Sequence, residues 1–490
     1  MTGPTTGPTT RRGRRAGGSA RQTRWRRLSV ALVVAAAACV VVAALPSSSG
    51  AGGGRTATLG TPLWSARRAP ELLVDGVGAQ RLQASLTADL AKQPGSCFVV
   101  SEGPEALAAL NPDTPLLPAS TAKLLTATAA LDVLGPTFKF ETKAVSDQAP
   151  DNATLDRLWL VGSGDPVLAT ADFRTYLASQ PEQKGFTTTS LESLADAIVA
   201  KGVKRIPGGI IGDDSRYDTQ RYVPTWAASY RTDPEIGPLG ALTVNDGYQV
   251  KGPNKVVPVS DPALYAATEL TNLLTARGVQ VGPPSAHTKA PDAATPVASV
   301  LSPSLHDILA ASLTTSDNLA AELLAKELGV HASGQGTTAA GTQVIASTLT
   351  RLGIPTAGLT LADASGLDRG DRSTCTTLAR VLDLAETPQF QTILQGLPVA
   401  GENGTLADRL AGTPLAGKLK AKTGTLNGVS GLAGLLDGGR PLRFALLVNG
   451  NVPDKLAAEV VREGFAGILA TFPSAPAPSA LVPAPAVPTP

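Results

Sequence analysis

Three short motifs follow one another along this chain and together predict a serine site for acyl transfer. They are Ser120-Thr121-Ala122-Lys123, Ser316-Asp317-Asn318 and Lys422-Thr423-Gly424-Thr425. Each pattern, Ser-x-x-Lys, Ser-x-Asn and Lys-Thr-Gly, occurs only once in the sequence. A serine hydroxyl is a weak nucleophile until a base removes its proton. The lysines of the first and third motifs can supply a base and a positive field, so this chemistry needs no histidine.

Ser120 and Lys123 form the predicted pair of nucleophile and base. A spacing of three residues places both side chains on one face of a helix, close enough to hydrogen-bond. Lys123 acts as a base only when its amine is neutral, and burial beside a second cation lowers the pKa of an amine. Lys422 is the expected second cation. A helix N-terminus at Ser120 would also favour the negative charge that develops there.

Ser316 and Asn318 complete the predicted catalytic set. Ser316 can relay a proton to the leaving amine, with Lys123 or Lys422 behind it. Asn318 carries an amide that can orient Lys123 or hold the backbone of the substrate. The predicted catalytic residues are therefore Ser120, Lys123, Ser316, Asn318 and Lys422.

The third motif is expected to bind the substrate. Gly424 permits a close backbone approach, and the hydroxyls of Thr423 and Thr425 can bind a terminal carboxylate. The backbone N–H groups of Ser120 and Thr425 are expected to form an oxyanion hole, where each donor stabilises the transition state by roughly 2.7–4 kcal/mol.

Periodic segments predict the elements that position these residues. The sequence indicates helices at 79–93, 124–134, 319–328 and 456–472, so that helices follow the first two motifs directly. It indicates strands at 97–100, 417–426, 431–436 and 442–449, the last three with turn residues between them. Helices at both ends around a late antiparallel meander indicate a sheet that is covered on both faces.

The motifs also carry a resemblance to a known family. Further matching segments are Gly164-Asp165-Pro166, Asp363-Ala364-Ser365-Gly366-Leu367 and Leu397-Pro398-Val399-Ala400-Gly401. From about residue 80 to 470 the chain resembles the D-alanyl-D-alanine carboxypeptidases/endopeptidases of the class C low-molecular-mass penicillin-binding proteins, the penicillin-binding protein 4 type (peptidase S13 family).

This resemblance implies a fold, a reaction and a catalytic set. The fold would be an α/β/α sandwich of the β-lactamase/transpeptidase type, with a mainly antiparallel central sheet interrupted by an inserted mixed α/β domain. The enzyme would cleave peptidoglycan stem peptides through an acyl-enzyme on Ser120, and β-lactams would acylate the same serine as covalent inhibitors. No metal or organic cofactor would be needed. The family's catalytic residues fall here on Ser120, Lys123, Ser316, Asn318, Lys422 and Thr423.

The spacing of the motifs predicts a catalytic domain that is split in sequence. Ser120 and Ser316 are 196 residues apart, whereas Ser316 and Lys422 are 106 apart. The long interval has strand and turn patterns of its own, which indicates an inserted domain. The predicted segments are a basic head (1–27), an apolar segment (28–45), a linker (46–78), the first catalytic part (79–140), the inserted domain (141–298), the second catalytic part (299–472) and a Pro/Ala-rich disordered tail (473–490).

The distribution of charge predicts export. The net charge is +2, but residues 1–27 contain eight arginines and no acidic residue, which leaves −6 for the rest. The apolar run 28–45 follows directly. This order is typical of a signal peptide, or of a membrane anchor with its positive flank in the cytoplasm. We therefore expect an enzyme on the extracytoplasmic side, anchored in the membrane or cleaved, and a basic head that serves targeting rather than nucleic-acid binding.

Two cysteines, Cys97 and Cys375, lie in the exported part. An oxidising compartment allows one disulfide between them, and two buried free thiols are an equal alternative. The only histidines are His287, His306 and His331, whose spacing is not that of a metal site.

Two other functions share part of the pattern. A class A-like β-lactamase has the same motifs but needs a Glu-x-x-Leu-Asn element for deacylation, and Glu269-Leu270-Thr271-Asn272 is one residue short of it. A catalytically silent cell-wall-binding scaffold is the second alternative, although intact Ser120, Lys123 and Lys422 favour an enzyme. A Ser-His-Asp hydrolase is excluded because the sequence has no Gly-x-Ser-x-Gly elbow.

Overall fold

The computed structural model describes residues 70–149, 151–183, 186–232, 234–252 and 255–474, which all belong to one compact unit. The predicted basic head, the apolar segment 28–45 and most of the predicted tail lie outside these residues. Within them, no helix is both long and apolar enough to cross a membrane.

The described residues form alternating helices and strands. The helices are α1 (Pro70–Asp89), α2 (Lys123–Val133), α3 (Ala171–Ser179), α4 (Leu191–Ala200), α5 (Pro262–Ala276), α6 (Leu305–Thr315), α7 (Asn318–Ser333), α8 (Thr338–Arg351), α9 (Cys375–Leu384), α10 (Gln391–Gln395) and α11 (Lys455–Leu469). The strands are β1 (Gly95–Glu102), β2 (Glu105–Leu110), β3 (Glu141–Ser146), β4 (Leu158–Val161), β5 (Leu168–Ala169), β6 (Thr189–Ser190), β7 (Arg205–Ile206), β8 (Ile210–Asp213), β9 (Tyr248–Val250), β10 (Val256–Pro258), β11 (Gln280–Val281), β12 (Ser285–Ala286), β13 (Thr295–Leu301), β14 (Leu419–Leu426), β15 (Val429–Leu436) and β16 (Leu442–Asn449).

One five-stranded sheet carries the third motif. Its order is β14-β15-β16-β1-β2, and every neighbouring pair is antiparallel. Two strands come from the beginning of the described chain and three from near its end, so the sheet brings distant segments together. The strand with the third motif, β14, lies at one edge, which leaves one side of its backbone free for other contacts.

Both faces of this sheet are covered by helices, because side chains alternate between the faces of a strand. In β16, Phe444, Leu446 and Val448 point into a core that also contains apolar residues of α1 and α11. Ala445 and Leu447 point the other way, into a core with residues of α2, α6, α7, α8 and α9. The helices that carry the first two motifs therefore lie against the same face.

The residues between the first two motifs build a second five-stranded sheet, with the order β12-β8-β4-β3-β13. Strands β4, β8 and β12 pair in parallel, while β3 pairs antiparallel with both β4 and β13. Leu158 and Ile210 of the strands share a core with Leu194 of α4 and Leu270 of α5. This mixed sheet thus has a hydrophobic core of its own.

Among the boundaries that differ from the sequence-based predictions, two bear on how the chain divides into domains. Helix α1 begins at Pro70, nine residues before the predicted start at Ala79 and inside the predicted linker. Gly76 and Gly78 weaken the helical pattern in this part of the sequence, because glycine is a poor helix former. The sequence therefore did not predict the first turns of α1. Strand β13 ends at Leu301, three residues past the predicted end of the inserted domain, because its pairing with β3 continues to that residue.

Buried charges fasten α7 to the loop that follows β8. Lys326 is fully buried and forms an ion pair with Asp218. Glu327 is also buried and accepts two hydrogen bonds from Arg216, at 2.9 and 2.6 Å, and one from the Tyr217 hydroxyl at 2.9 Å. Removing one partner of such a pair leaves an uncompensated buried charge. These contacts therefore hold the helix that carries the second motif against the segment around the second sheet.

A disulfide joins Cys97 in β1 to Cys375 at the beginning of α9, with Cα atoms 6.0 Å apart. Both residues are fully buried. The two cysteines are 278 residues apart in sequence, so the bond closes a loop that contains the whole second sheet. Closing a long loop reduces the conformational entropy of the unfolded chain, which stabilises the folded state.

We expect replacement of both Cys97 and Cys375 by alanine to lower the free energy of unfolding by about 2–5 kcal/mol, because the unfolded chain regains its freedom. Urea unfolding of the full-length protein, with and without reductant, measures this loss. Reductant should destabilise the wild type by a similar amount and leave the variant unchanged. A wild type that does not respond to reductant, and that matches the variant, would contradict a disulfide.

Candidate active site

Ser120 lies in a 3-10 turn, Ala119–Ala122, that leads directly into α2. Two glycines allow other segments to approach the backbone of this turn. A Cβ on Gly366, which has φ +84°, would lie 2.0 Å from the carbonyl oxygen of Ala119. A Cβ on Gly424 would lie 2.7 Å from the carbonyl oxygen of the residue before the turn. Any larger residue at either position would push its segment away from the serine.

Lys123 lies at the centre of the site, in the first turn of α2. Its Nζ donates to the Ser120 hydroxyl oxygen at 3.0 Å, to Oδ1 of Asn318 at 2.6 Å and to the carbonyl oxygen of Ser365 at 2.7 Å. An ammonium group has three donors, and each has a partner here. The structure thus brings the first and second motifs together through one amine and adds a carbonyl from a third segment.

The protonation of Lys123 is governed mainly by burial. The residue is only 3% exposed. Burial lowers the pKa of Lys123 to about 8, against the fields of Asp363, Asp317 and Glu322, which raise it. An ordinary lysine has a pKa near 10.4. The neutral, basic form of this amine is therefore available close to neutral pH.

Lys422 and Ser316 lie outside this hydrogen-bonded group. Lys422 is fully buried, and its Nζ donates to the carbonyl oxygen of Thr423 at 3.0 Å. Burial, and next the charge of Lys123, lower the pKa of Lys422 well below its ordinary range. Ser316 has φ +64° at the end of α6 and lines the same cavity as Ser120. In the described part of the chain, the Ser316 side chain makes no hydrogen bond to either lysine.

The loop that contributes the Ser365 carbonyl is held by two buried acids. Glu322, one helical turn after Asn318 in α7, accepts hydrogen bonds from the N–H groups of Ala364 and Ser365 at 2.9 and 2.8 Å. Asp363 accepts one from the N–H three residues further on, at 2.7 Å. The same helix therefore supplies one acceptor for Lys123 directly and positions the other.

Two acids at this loop, Glu322 and Asp371, carry little negative charge at neutral pH. Burial, and next the charge of Asp363, raise the pKa of Glu322 to about 8. The same two causes raise the pKa of Asp371, a further acid on this loop, to about 10. Both groups are therefore mainly protonated at neutral pH, which spares Lys123 additional stabilisation of its charged form.

The outer side of β14 is open at the third motif. At its beginning, β14 is hydrogen-bonded to the segment 398–400. The carbonyl oxygen of Leu419 accepts from the N–H of Ala400 at 2.9 Å, and the N–H of Ala421 donates to the carbonyl oxygen of Pro398 at 3.0 Å. Backbone groups alternate between the two sides of a strand. Those of Thr423 and Thr425 therefore face the same outer side, beyond the end of that segment.

A cavity of about 790 Å³ opens beside these groups. One wall comes from the residues around the second sheet and the other from the sheet with the third motif. The predicted site residues that line it are Ser120, Ser316, Asn318, Thr423 and Thr425. Lys123 and Lys422 are buried behind this surface. The predicted residues thus meet at one place, with the serine exposed to a ligand and the lysines withdrawn from solvent.

Two contributors to the surroundings of Lys123 were missed by the sequence reasoning: Glu322 and the carbonyl of Ser365. A signal existed for Glu322, because a charged residue four positions after Asn318 lies on the same helix face. The segment around Ser365 was identified only as part of the family resemblance. A backbone carbonyl has no sequence signature, so the contact to Lys123 required the fold. Among the described residues, no group of three His, Cys, Asp or Glu side chains could hold a metal ion.

A buried lysine beside a serine, at the edge strand of an antiparallel sheet, is the arrangement of a serine acyl-transfer enzyme. Two solved structures of penicillin-binding protein 4 (dacB) from Haemophilus influenzae share the fold. One has a TM-score of 0.67 at 23% identity and covers 79% of this chain and 99% of the other. The second, complexed with a novel β-lactam, has a TM-score of 0.60 at 23% identity and covers 79% and 98%.

The chain belongs to the D-Ala-D-Ala carboxypeptidase 3 (S13) family, whose profile matches residues 89–252 and 248–472. It is 30% identical over 415 residues to a D-alanyl-D-alanine carboxypeptidase from Actinomadura sp. (strain R39), covering 69% of this chain and 74% of that protein. It is 27% identical over 412 residues to D-alanyl-D-alanine carboxypeptidase DacB from Haemophilus influenzae, covering 73% and 85%. The predicted family is confirmed: the protein is a serine-type D-alanyl-D-alanine carboxypeptidase that acts on peptidoglycan.

The pKa of Lys123 leads to a prediction for the pH dependence of acylation. If its neutral amine is the base, the second-order rate constant should rise about tenfold per pH unit below pH 8 and level off above it, because the neutral fraction follows that course. Stopped-flow acylation by a fluorescent penicillin between pH 6 and 9.5 measures this profile. A rate constant that stays flat from pH 6 upward would exclude the neutral amine as the base.

Glu322 should act on the site through hydrogen bonding rather than charge. Glu322→Gln keeps an oxygen acceptor for the two loop N–H groups and should change the acylation rate by less than about threefold, whereas Glu322→Ala leaves both donors unsatisfied and should lower it about 10- to 100-fold. Acylation kinetics and thermal unfolding of both variants check this expectation. Equal loss in the two variants would instead assign the effect to the carboxylate charge.

Proposed function

We propose that Ser120 is the nucleophile and Lys123 the general base of this carboxypeptidase. A neutral amine has two N–H donors and one lone pair. Two of the neighbours of Lys123, Oδ1 of Asn318 and the carbonyl of Ser365, can only accept hydrogen bonds. Only the Ser120 hydroxyl can donate. The lone pair of the neutral amine can therefore accept a hydrogen bond only from the hydroxyl of Ser120.

The proposed acylation moves one proton and exchanges one bond. Ser120 Oγ bonds to the carbonyl carbon of the penultimate D-alanine while Lys123 takes its proton. The carbonyl oxygen becomes an oxyanion, which the N–H groups of Ser120 and Thr425 would bind. When the C–N bond breaks, the proton that Lys123 took from Ser120 passes to the amine of the last residue, with Ser316 in the cavity wall as the proposed relay, and Lys123 is neutral again. The product is an acyl-enzyme on Ser120 and a free D-alanine.

Water completes the proposed cycle. Water attacks the acyl carbonyl while Lys123 accepts its proton. When the bond between the acyl carbon and Ser120 Oγ breaks, Lys123 passes this proton to Oγ, so that Ser120 leaves as a hydroxyl. A β-lactam would react in the same way, but its amine remains tethered to the acyl group and stays in the site. The β-lactam complex of penicillin-binding protein 4 from Haemophilus influenzae supports this extension. Endopeptidase action on the crosslink follows from the same chemistry, because the bond that breaks is also an amide of D-alanine.

The proposed setting is the outer side of the cell membrane or the cell wall. An α/β/α sandwich would contain the catalytic parts 79–140 and 299–472, and the inserted domain 141–298 would form the facing wall of the cavity. The apolar segment 28–45 would direct export, as an anchor or as a cleaved signal. The charge asymmetry of the first 27 residues supports this placement.

The three hydrogen bonds of Lys123 are the observation that supports this function most strongly. The test is incubation of the full-length protein with fluorescent penicillin, followed by intact-mass analysis and peptide mapping. Wild type should form a lasting adduct on Ser120 and release D-alanine from peptides that end in D-Ala-D-Ala. Ser120→Ala should do neither, while Ser347→Ala, an exposed helical serine, should match wild type.

The other outcomes identify the rival functions. Rapid penicillin turnover without a lasting adduct would indicate a β-lactamase. A folded protein that forms no adduct and shows no turnover would indicate a silent scaffold. An adduct that persists in Ser120→Ala would contradict the proposed nucleophile.

A further inference from the structure

Trp226 joins the chain between β8 and β9 to the loop that contributes the Ser365 carbonyl. It is 8% exposed, and its Nε1 donates to Oδ2 of Asp363 at 2.7 Å. Its ring belongs to a hydrophobic cluster that also contains Leu319 and Leu323 of α7. An indole nitrogen can only donate a hydrogen bond, so this contact orients a carboxylate that lies 137 residues away in sequence.

Asp363 is fully buried and accepts N–H donors on both of its oxygens. Oδ1 accepts from the N–H of Gly366 at 2.7 Å, and Oδ2 accepts from the N–H of Asp368 at 2.7 Å as well as from Trp226. The two backbone bonds fold the loop around the carboxylate, with Ser365 inside this turn. Of these three donors, only the indole comes from outside the loop, so it fixes the position of the turn relative to its surroundings.

The same connection between β8 and β9 also contacts the other acceptor of Lys123. The carbonyl oxygen of Glu235 accepts from Nδ2 of Asn318 at 2.7 Å. A side-chain amide carries its oxygen and its nitrogen on opposite sides, so this bond directs Oδ1 of Asn318 toward the amine. Trp226 and Glu235 therefore each support one of the two partners of Lys123 that can only accept.

We infer that Trp226 is a positioning residue for the proposed base: by donating to Asp363 it holds the loop where the Ser365 carbonyl meets the amine of Lys123. The inference rests on the proposed role of Lys123 in acylation. It means that the predicted inserted domain does more than form a wall of the cavity. Through one indole N–H, it takes part in holding the base.

The hydrogen bond also acts on the charge near the base. Burial lowers the pKa of Lys123, and among the charges that raise it Asp363 comes first, followed by Asp317, Glu322 and Glu235. A donor to a carboxylate favours its ionised form. The indole thus supports the ammonium form of Lys123, both through the field of Asp363 and through the placement of the loop carbonyl.

Other titratable groups surround this pair, and replacement of the indole removes none of them. Lys422 lies near the amine, and burial lowers its pKa well below its ordinary range. Asp371 and Tyr230 face Asp363, and burial raises the pKa of both, which leaves both mainly protonated at neutral pH. The carboxylate of Asp368 accepts from a threonine hydroxyl next to the indole. A change in the pH profile would therefore report on the lost donor itself.

The test is Trp226→Phe, which keeps an aromatic ring but removes the N–H donor. Stopped-flow acylation of the full-length protein by a fluorescent penicillin is measured between pH 6 and 9.5. The midpoint of the profile, expected near pH 8 in wild type, should fall by about 0.5–1 pH unit, because the ammonium form loses support. The plateau rate constant should fall about 3- to 10-fold, because the amine is held less firmly against Ser120.

Trp159→Phe is the matched control. Trp159 in β4 is 4% exposed, and its Nε1 has no hydrogen-bond partner among the described residues. The same exchange there removes a buried indole N–H that holds no carboxylate. Midpoint and plateau should match wild type. Thermal unfolding of both variants is measured alongside.

A double variant tests whether the effect passes through Asp363. Asp363→Ala removes the acceptor, so adding Trp226→Phe should then shift the midpoint by less than about 0.2 pH unit and the plateau by less than about twofold, because effects along one path are not additive. Full additivity would contradict this path. If Asp363→Ala does not fold, the comparison of the two tryptophan variants decides.

A folded Trp226→Phe with the midpoint of wild type, or with a higher one, would overturn the inference and leave Trp226 a packing role. An equal shift in Trp159→Phe would overturn it as well. Failure of the proposed function looks different, because wild type itself would then form no adduct or show a rate constant that does not change with pH.

Discussion

The hydrogen bonds of the Lys123 amine are the interaction on which the rest of the site depends. Its partners Asn318 and Ser365 lie 195 and 242 residues away in sequence, so the amine connects three segments that only the fold brings together. The position of each partner is determined by α7. Asn318 begins α7, and Ser365 lies on a loop whose N–H groups bond to Glu322 of the same helix. A shift of α7 would therefore displace both acceptors at once.

Burying a lysine is costly unless its surroundings compensate for the lost hydration. The compensation here is incomplete, and this lowers the pKa of Lys123 to about 8. Four acids lie near enough to oppose the shift. Burial raises the pKa of one of them, Glu322, to about 8, so that this neighbour is largely neutral at pH 7. Had it remained ionised, its charge would have favoured the ammonium form. The buried acids thus hold the loop by hydrogen bonding without cancelling the basicity of the amine.

The sequence predicted the parts of the fold that local patterns determine. The late antiparallel strands and the helices after Ser120 and Ser316 follow from apolar periodicity and turn residues, and the structure has them within a few residues. The beginning of α1 was missed because two glycines interrupt the pattern. The order of strands in the central sheet could not be derived, since pairing between β1 and β16 depends on contacts across more than 300 residues.

The site, like the fold, was predicted only where local sequence patterns determine it. Side chains in motifs, such as Lys123 and Asn318, could be named from their chemistry. The partners that act through the backbone or from distant helices could not. Arg462 shows this limit most clearly: an arginine in an amphipathic helix is usually solvated, and only the packing of α11 on β14 places this one against Thr425.

The edge position of β14 is a further constraint on the proposed site. An edge strand exposes unpaired backbone groups, which folded proteins usually cover. Here the segment 398–400 covers the beginning of the strand and stops before Thr423. The remaining open edge can pair with an extended peptide, and that pairing fixes the direction of the peptide relative to Ser120. Arg462 of α11 donates to the carbonyl of Gly424 and to the hydroxyl of Thr425, so the packing of α11 holds this part of β14 in place. The packing of α11 on β14 therefore fixes the strand along which the substrate backbone would lie in the proposed reaction.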